Sequence, residues 1–206
     1  MEGGGKFEHI FNAMVCGPSQ SGKTWFVKRM IGHIHPPPER VIYYYSVYQA
    51  VYDTFPDNVE FIEGLPTTPP DGKKRTLLIL DDALSELQDN KFITKLFTKY
   101  SHHCDTSIVL ISQNLYHKGR EMRTINLQAH YIVLFPNRRD QSQVTTLGKQ
   151  VFPGHNKFFK EVYEDATRDP YSYLMLDLKS NTPEEFRLRA NIFSENGKPP
   201  TVYAKK

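Results

Sequence analysis

Cysteine is scarce: Cys16 and Cys104 are the only two in 206 residues. Two thiols cannot build a disulfide framework, which points to a reducing compartment. Cys104 follows His102 and His103, but a structural zinc takes about four ligands and no second Cys/His pair stands at finger-like spacing. These histidines therefore read as surface or helix-end residues. Long apolar runs are lacking too, and no stretch reaches the roughly 18 residues that a membrane-spanning helix needs. The opening MEGGGKFEHIF lacks the basic-then-apolar layout of a secretory signal, so residues 1–6 are expected to be a flexible lead-in. Charge of one sign is not massed either. Lys and Arg number 26 against 23 Asp and Glu, and the basic residues fall in short groups such as Lys73-Lys74-Arg75, Lys118-Gly119-Arg120 and Arg138-Arg139. That balance permits a local nucleic-acid patch without requiring one.

What is present is a succession of apolar runs separated by helical patterns. Residues 11–16 form a run that stops at Gly17, as a buried strand entering a turn does. Trp25, Phe26, Met30, Ile31 and Ile34 then recur at helical spacing before Pro36-Pro37-Pro38 ends the pattern. Strands are expected at 41–45, around 60–62, and at 76–80, 107–111, 131–135, 173–178 and 188–193, with helices at about 91–100, 140–150 and 155–166. The Pro- and Gly-rich remainder of 46–75 reads as a connection. Continuous apolar strands alternating with helices imply an α/β fold with a mostly parallel sheet covered on both faces. The expected organisation is one domain over 1–194 and a loose tail over 195–206.

The chemistry concentrates at three strand ends. Residues 17–24 read Gly17-Pro18-Ser19-Gln20-Ser21-Gly22-Lys23-Thr24, a GxxxxGKT phosphate loop with a strand before it and a helix after it. Gly17 and Gly22 let the backbone turn its N–H groups toward a phosphate, and the helix N-terminus faces the same anion. Lys23 then reaches the β- and γ-phosphates of ATP, and Thr24 offers a hydroxyl to Mg²⁺. Asp81 ends a buried strand at the edge where ligands bind in such sheets, and suits Mg²⁺. Asp82 beside it points to the other side of the strand and is either a base for the attacking water or a helix cap. Gln113 ends the 107–111 run, where its amide would sense the γ-phosphate and the water. Arg139, Arg138, Arg123 and Arg120, in that order, are candidates for an arginine finger supplied to a neighbouring subunit. The alternative for each is a solvated or phosphate-contacting arginine.

With these residues in place the chain resembles the FtsK–HerA superfamily of DNA-pumping ATPases, and within it the compact genome-packaging ATPases of poxviruses, other large DNA viruses and Maverick/Polinton elements. The matching segments are the phosphate loop, Leu77-Leu78-Ile79-Leu80-Asp81-Asp82, Ile111-Ser112-Gln113-Asn114, and HKGREMRTINLQAHYIVLFPNRRD at 117–140. Similarity spans residues 10–193. The resemblance implies a RecA-like P-loop three-layer sandwich with an additional strand between the loop strand and the acidic strand, for which 41–45 is the candidate. It also implies an ATPase that packages viral double-stranded DNA as a homo-oligomeric ring, a pentamer or hexamer, against a capsid or portal vertex. The site of action would be the infected host cell or the virion. Many relatives carry Glu at the position of Asp82, whose shorter side chain reaches less far. Lys118, Arg120 and Arg123 become candidates for pore-loop contacts to DNA, which competes with a finger role for the last two. Two other classes stay open on the residues alone: a nucleotide or small-molecule kinase with Arg120 and Arg123 on a lid, and a slow nucleotide switch or scaffold. A GTP-specific reading fails, because Asn90-Lys91 is followed by Ile93 where Asp is required.

Overall fold

A computed structural model describes residues 7–81, 90–116, 120–193 and 199–205. The apolar runs become strands β1 (Phe7–Glu8), β2 (Asn12–Cys16), β3 (Ile34–His35), β4 (Arg40–Tyr45), β5 (Val59–Glu63), β6 (Thr76–Asp81), β7 (Thr106–Ser112), β8 (Tyr131–Leu134), β9 (Leu174–Asp177), β10 (Leu188–Ala190) and β11 (Thr201–Tyr203). Nine of them join in the order β11-β10-β9-β8-β2-β7-β6-β4-β5, while β1 and β3 pair separately. From β8 to β5 every neighbouring pair is parallel; β9, β10 and β11 continue the sheet by antiparallel pairing.

The strands are apolar on both faces because both faces are covered. Period-two alternation sends Ala13, Val15, Leu77, Ile79, Val109, Ile111 and Val133 into one core layer, with Phe26, Val27 and Met30 of α1 (Lys23–Ile31). Their neighbours Met14, Leu78, Leu80, Ile108, Leu110, Ile132 and Leu134 enter the opposite layer. That layer is closed by α2 (91–103), α3 (Arg120–Leu127), α4 (Ser142–Val151) and α5 (Asn156–Ala166). The result is a three-layer α/β sandwich. Asn90 starts α2 by accepting from the backbone N–H groups of Phe92 and Ile93. A π turn at Leu96–Tyr100 interrupts the helix, and the buried Asn12 side chain of β2 donates to the Phe97 carbonyl at 2.9 Å.

Several elements depart from the sequence reading. α1 ends at Ile31, so Ile34 lies in β3 and not in the helical pattern, and the short β1 that pairs with β3 was not expected. The strand that separates β2 from β6 is β7, whereas β4, the expected insert, lies on the outer side of β6. Chain order places 41–45 between the two motifs, but the crossover that enters β7 fills the gap in space. The tail is not loose throughout: Thr201–Tyr203 pairs with β10, and the Tyr203 hydroxyl donates to Asp165 at 2.8 Å. Finally, α3 falls within a stretch in which no helix was expected, because only Met122 and Ile125 of its polar sequence are buried.

Candidate nucleotide-phosphate site

Local sterics explain the loop's glycines. The Gly17 N–H donates to the Ser112 carbonyl at 3.1 Å, so the chain leaves β2 still tied to β7. A Cβ at Gly17 would lie 2.5 Å from the Phe135 Cβ, too close for any side chain. Gly22 has φ 102°, a left-handed conformation that only glycine adopts freely, and its carbonyl accepts the first helical bond, from the Phe26 N–H at 2.9 Å. The first turn of α1 holds no acidic residue, so the positive end of the helix is unneutralised by its own side chains. The Lys23 ammonium donates to the carbonyls of Gly17 at 2.7 Å and Pro18 at 2.8 Å, which keeps it folded against the loop. Burial pushes the neighbouring Cys16 thiol up to about 12, only partly opposed by Lys23, so this cysteine stays protonated beside the loop.

Loop residues 19–24, Asp81 and Gln113 line one cleft of ≈ 440 Å³, which Trp25, Gln49, Val51 and Tyr171 also line. Strand parity explains the convergence. Leu77 and Ile79 face α1, and Asp81 follows two residues on; Val109 and Ile111 face the same way, and Gln113 follows them. Asp81 is buried, and its Oδ2 accepts from the hydroxyls of Tyr43 at 2.5 Å and Tyr52 at 3.1 Å. Burial first, and then the Asp81 charge, raise Tyr43 well above the ordinary tyrosine range, so it remains a donor. Sequence reasoning missed both tyrosines. The Tyr43-Tyr44-Tyr45 run was visible, but its alignment with Asp81 depends on the pairing of β4 with β6, and Tyr52 arrives on a short 3₁₀ turn, Ala50–Thr54.

The donor set fits a nucleotide with a divalent cation. Thr24 and Asp81 both line the cleft and carry hard oxygen atoms of the kind that would hold a divalent cation there. The expected arginines stand elsewhere. Arg138 and Arg139 are exposed on the connection between β8 and α4 and do not line this cleft; Arg120 and Arg123 are exposed on α3. Asp82 and Lys118 lie outside the described residues.

A polar relay connects the arginine connection with the end of β7. Gln143 of α4 accepts at Oε1 from the Leu115 N–H at 2.7 Å, and its Nε2 donates to Asp140 at 2.6 Å and to Asn114 at 3.3 Å. Asn137 accepts from the Arg139 and Asp140 N–H groups, which fixes the backbone next to both arginines.

No family model matches the sequence, and no curated protein matches it either. Solved structures do match. The genome packaging NTPase B204 from Sulfolobus turreted icosahedral virus 2, in complex with ATP-gammaS, superposes with a TM-score of 0.59 at 15% identity, over 84% of this chain and 94% of that one. B204, the DNA-packaging ATPase from Sulfolobus turreted icosahedral virus, gives 0.58 at 17% identity, over 84% and 94%. The cytoplasmic domain of the type VII secretion ATPase EccC of Thermomonospora curvata gives 0.52 at 13% identity, over 84% of this chain and 24% of that one. At such identities the likeness concerns the fold, and that fold is the RecA-like sandwich of P-loop ATPases.

Proposed function

We propose that this chain is an ATP-hydrolysing motor of the FtsK–HerA type that drives double-stranded viral DNA into a capsid as a homo-oligomeric ring. The observation that carries the reading is the convergence of residues 19–24, Asp81 and Gln113 on one cleft, with β7 set between β2 and β6. Near end-to-end likeness of fold to a packaging NTPase supports the DNA-packaging part. In this reading the loop N–H groups and Lys23 hold the ATP phosphates, while Thr24 and Asp81 hold Mg²⁺. Asp82 activates the attacking water, and Gln113 orients that water and registers the γ-phosphate. Arg139, with Arg138 as the alternate, stabilises charge on the phosphate of the neighbouring subunit. Their exposed position away from the chain's own cleft suits a role in trans. Lys118, Arg120 and Arg123 contact DNA phosphates without reading base sequence. The capsid or its portal vertex is the assembled partner, and the infected cell or the virion is the place of action.

Phosphate release by mixed variants tests the subunit arrangement. Lys23→Ala is expected to lower turnover at least about a hundredfold, through loss of charge stabilisation of the transferring phosphoryl group. Arg139→Ala alone should be nearly inactive, and an excess of Asp82→Asn should restore part of its turnover. Mixed rings then contain interfaces that join an intact Asp82 to an intact Arg139. Turnover that stays flat across all mixing ratios contradicts the trans assignment.

A further inference from the structure

A second cleft of ≈ 380 Å³ adjoins the phosphate cleft and shares Gly22, Trp25 and Tyr171 with it. Its other walls are Arg29 and the rings of Tyr173 and Phe193, backed by Phe26 and Phe135. The back wall is braced by ring contacts: Phe26 meets Tyr173 edge-on at 4.7 Å between centroids, and Phe135 lies 6.1 Å from Phe26. The Arg29 guanidinium sits 4.9 Å over the Phe193 ring. Two aromatics remain open on the shared side, Trp25 at 53% and Tyr171 at 69% exposure. Tyr171 has φ 63°, a backbone conformation that non-glycine residues rarely adopt, and it places its ring against Gly22.

The geometry points to this second cleft as the site that takes the base of the bound nucleotide, by stacking on Tyr171 and Trp25. The inference rests on the phosphate-loop reading of the first cleft and extends it. In that reading Asp81 and Gln113, which line the first cleft, meet the terminal phosphate. Thr24 is followed directly by Trp25, and Gly22, Trp25 and Tyr171 line both clefts, so they border the passage from one to the other. A triphosphate seated on the loop therefore delivers its sugar and base into the aromatic cleft. A heterocycle presents two flat apolar faces and polar edges, and open aromatic rings beside a phosphate site match the faces. Arg29 is the charged group of the cleft and offers only N–H donors, which suits the ring-nitrogen and carbonyl acceptors at a base edge.

Binding calorimetry with two ligands tests it: MgATP, and magnesium tripolyphosphate, which has the phosphates and no base. Wild type, Tyr171→Ala, Tyr171→Phe and Lys23→Ala are compared. Tyr171→Ala is expected to weaken MgATP roughly tenfold, a typical loss for one stacked ring, while tripolyphosphate stays within about twofold. Tyr171→Phe should restore MgATP binding, since the ring and not the hydroxyl stacks. Retained tripolyphosphate binding doubles as the control for folding. Trp25 is the single tryptophan and lines both clefts, so its emission should change more with MgATP than with tripolyphosphate. Equal affinity of wild type and Tyr171→Ala for MgATP overturns the base site, as does equal weakening of both ligands. Failure of the underlying reading has a separate signature: Lys23→Ala that binds tripolyphosphate as wild type does removes the phosphate loop itself from the account.

Discussion

At the residue scale, Tyr43, Asp81 and Tyr52 form the contact on which metal placement would depend in the proposed function. A carboxylate buried to this degree loses its hydration, and the two hydroxyls replace it. Both bonds fall on Oδ2 and hold the carboxylate of a residue that lines the cleft. Tyr43→Phe removes a hydrogen bond to a charged group, worth about 1.5–3 kcal/mol. Urea unfolding should show a loss of that order, and the Mg²⁺ concentration for half-maximal hydrolysis should rise. An unchanged Mg²⁺ requirement with the stability loss intact would reduce Tyr43 to a purely structural support. The loop residues and Asp81 were legible in the sequence because their signal is local: fixed spacing after an apolar run. The two tyrosines were not, since 38 and 29 residues separate them from the aspartate they hold.

The same contrast holds for elements. The central strands were legible because parallel strands buried on both faces have no polar positions to interrupt the apolar run. Elements with little buried surface were not. The two-residue strands β1 and β3 are too short for any periodicity, α3 buries little, and β11 carries exposed Thr201 and Val202. Close packing between α4 and α5 shows how tightly the covering layer is built. A Cβ at Gly148 would stand 2.7 Å from the Phe159 Cδ1, and Phe159 is buried. Gly148→Ala should therefore cost about 1–3 kcal/mol of stability by overpacking, despite the higher helix propensity of alanine. A stability gain on thermal melting would contradict this packing. The loss should also reach the 137–140 connection, since Gln143 on the same helix ties Asp140 to the end of β7.

For the whole molecule, the sheet acts as a plate whose C-terminal strand edge carries the residues that line the candidate site. β2 delivers the loop, β7 delivers Gln113, β6 delivers Asp81, and β8 leads into the arginine connection. The sequence indicated the edge but not the neighbours, because strand order is fixed by crossovers. A motor built on this plate makes hydrolysis depend on assembly and on DNA. Its grip on DNA would be chiefly electrostatic, so the stimulation should fall steeply with salt as condensed counterions become harder to release. The direct measurement is ATP turnover per subunit across a range of protein concentrations, with and without long duplex DNA, at low and raised salt. Turnover per subunit that rises with protein concentration, increases with DNA and loses that increase at high salt is the predicted result. Turnover that is constant per subunit and indifferent to DNA would contradict the account.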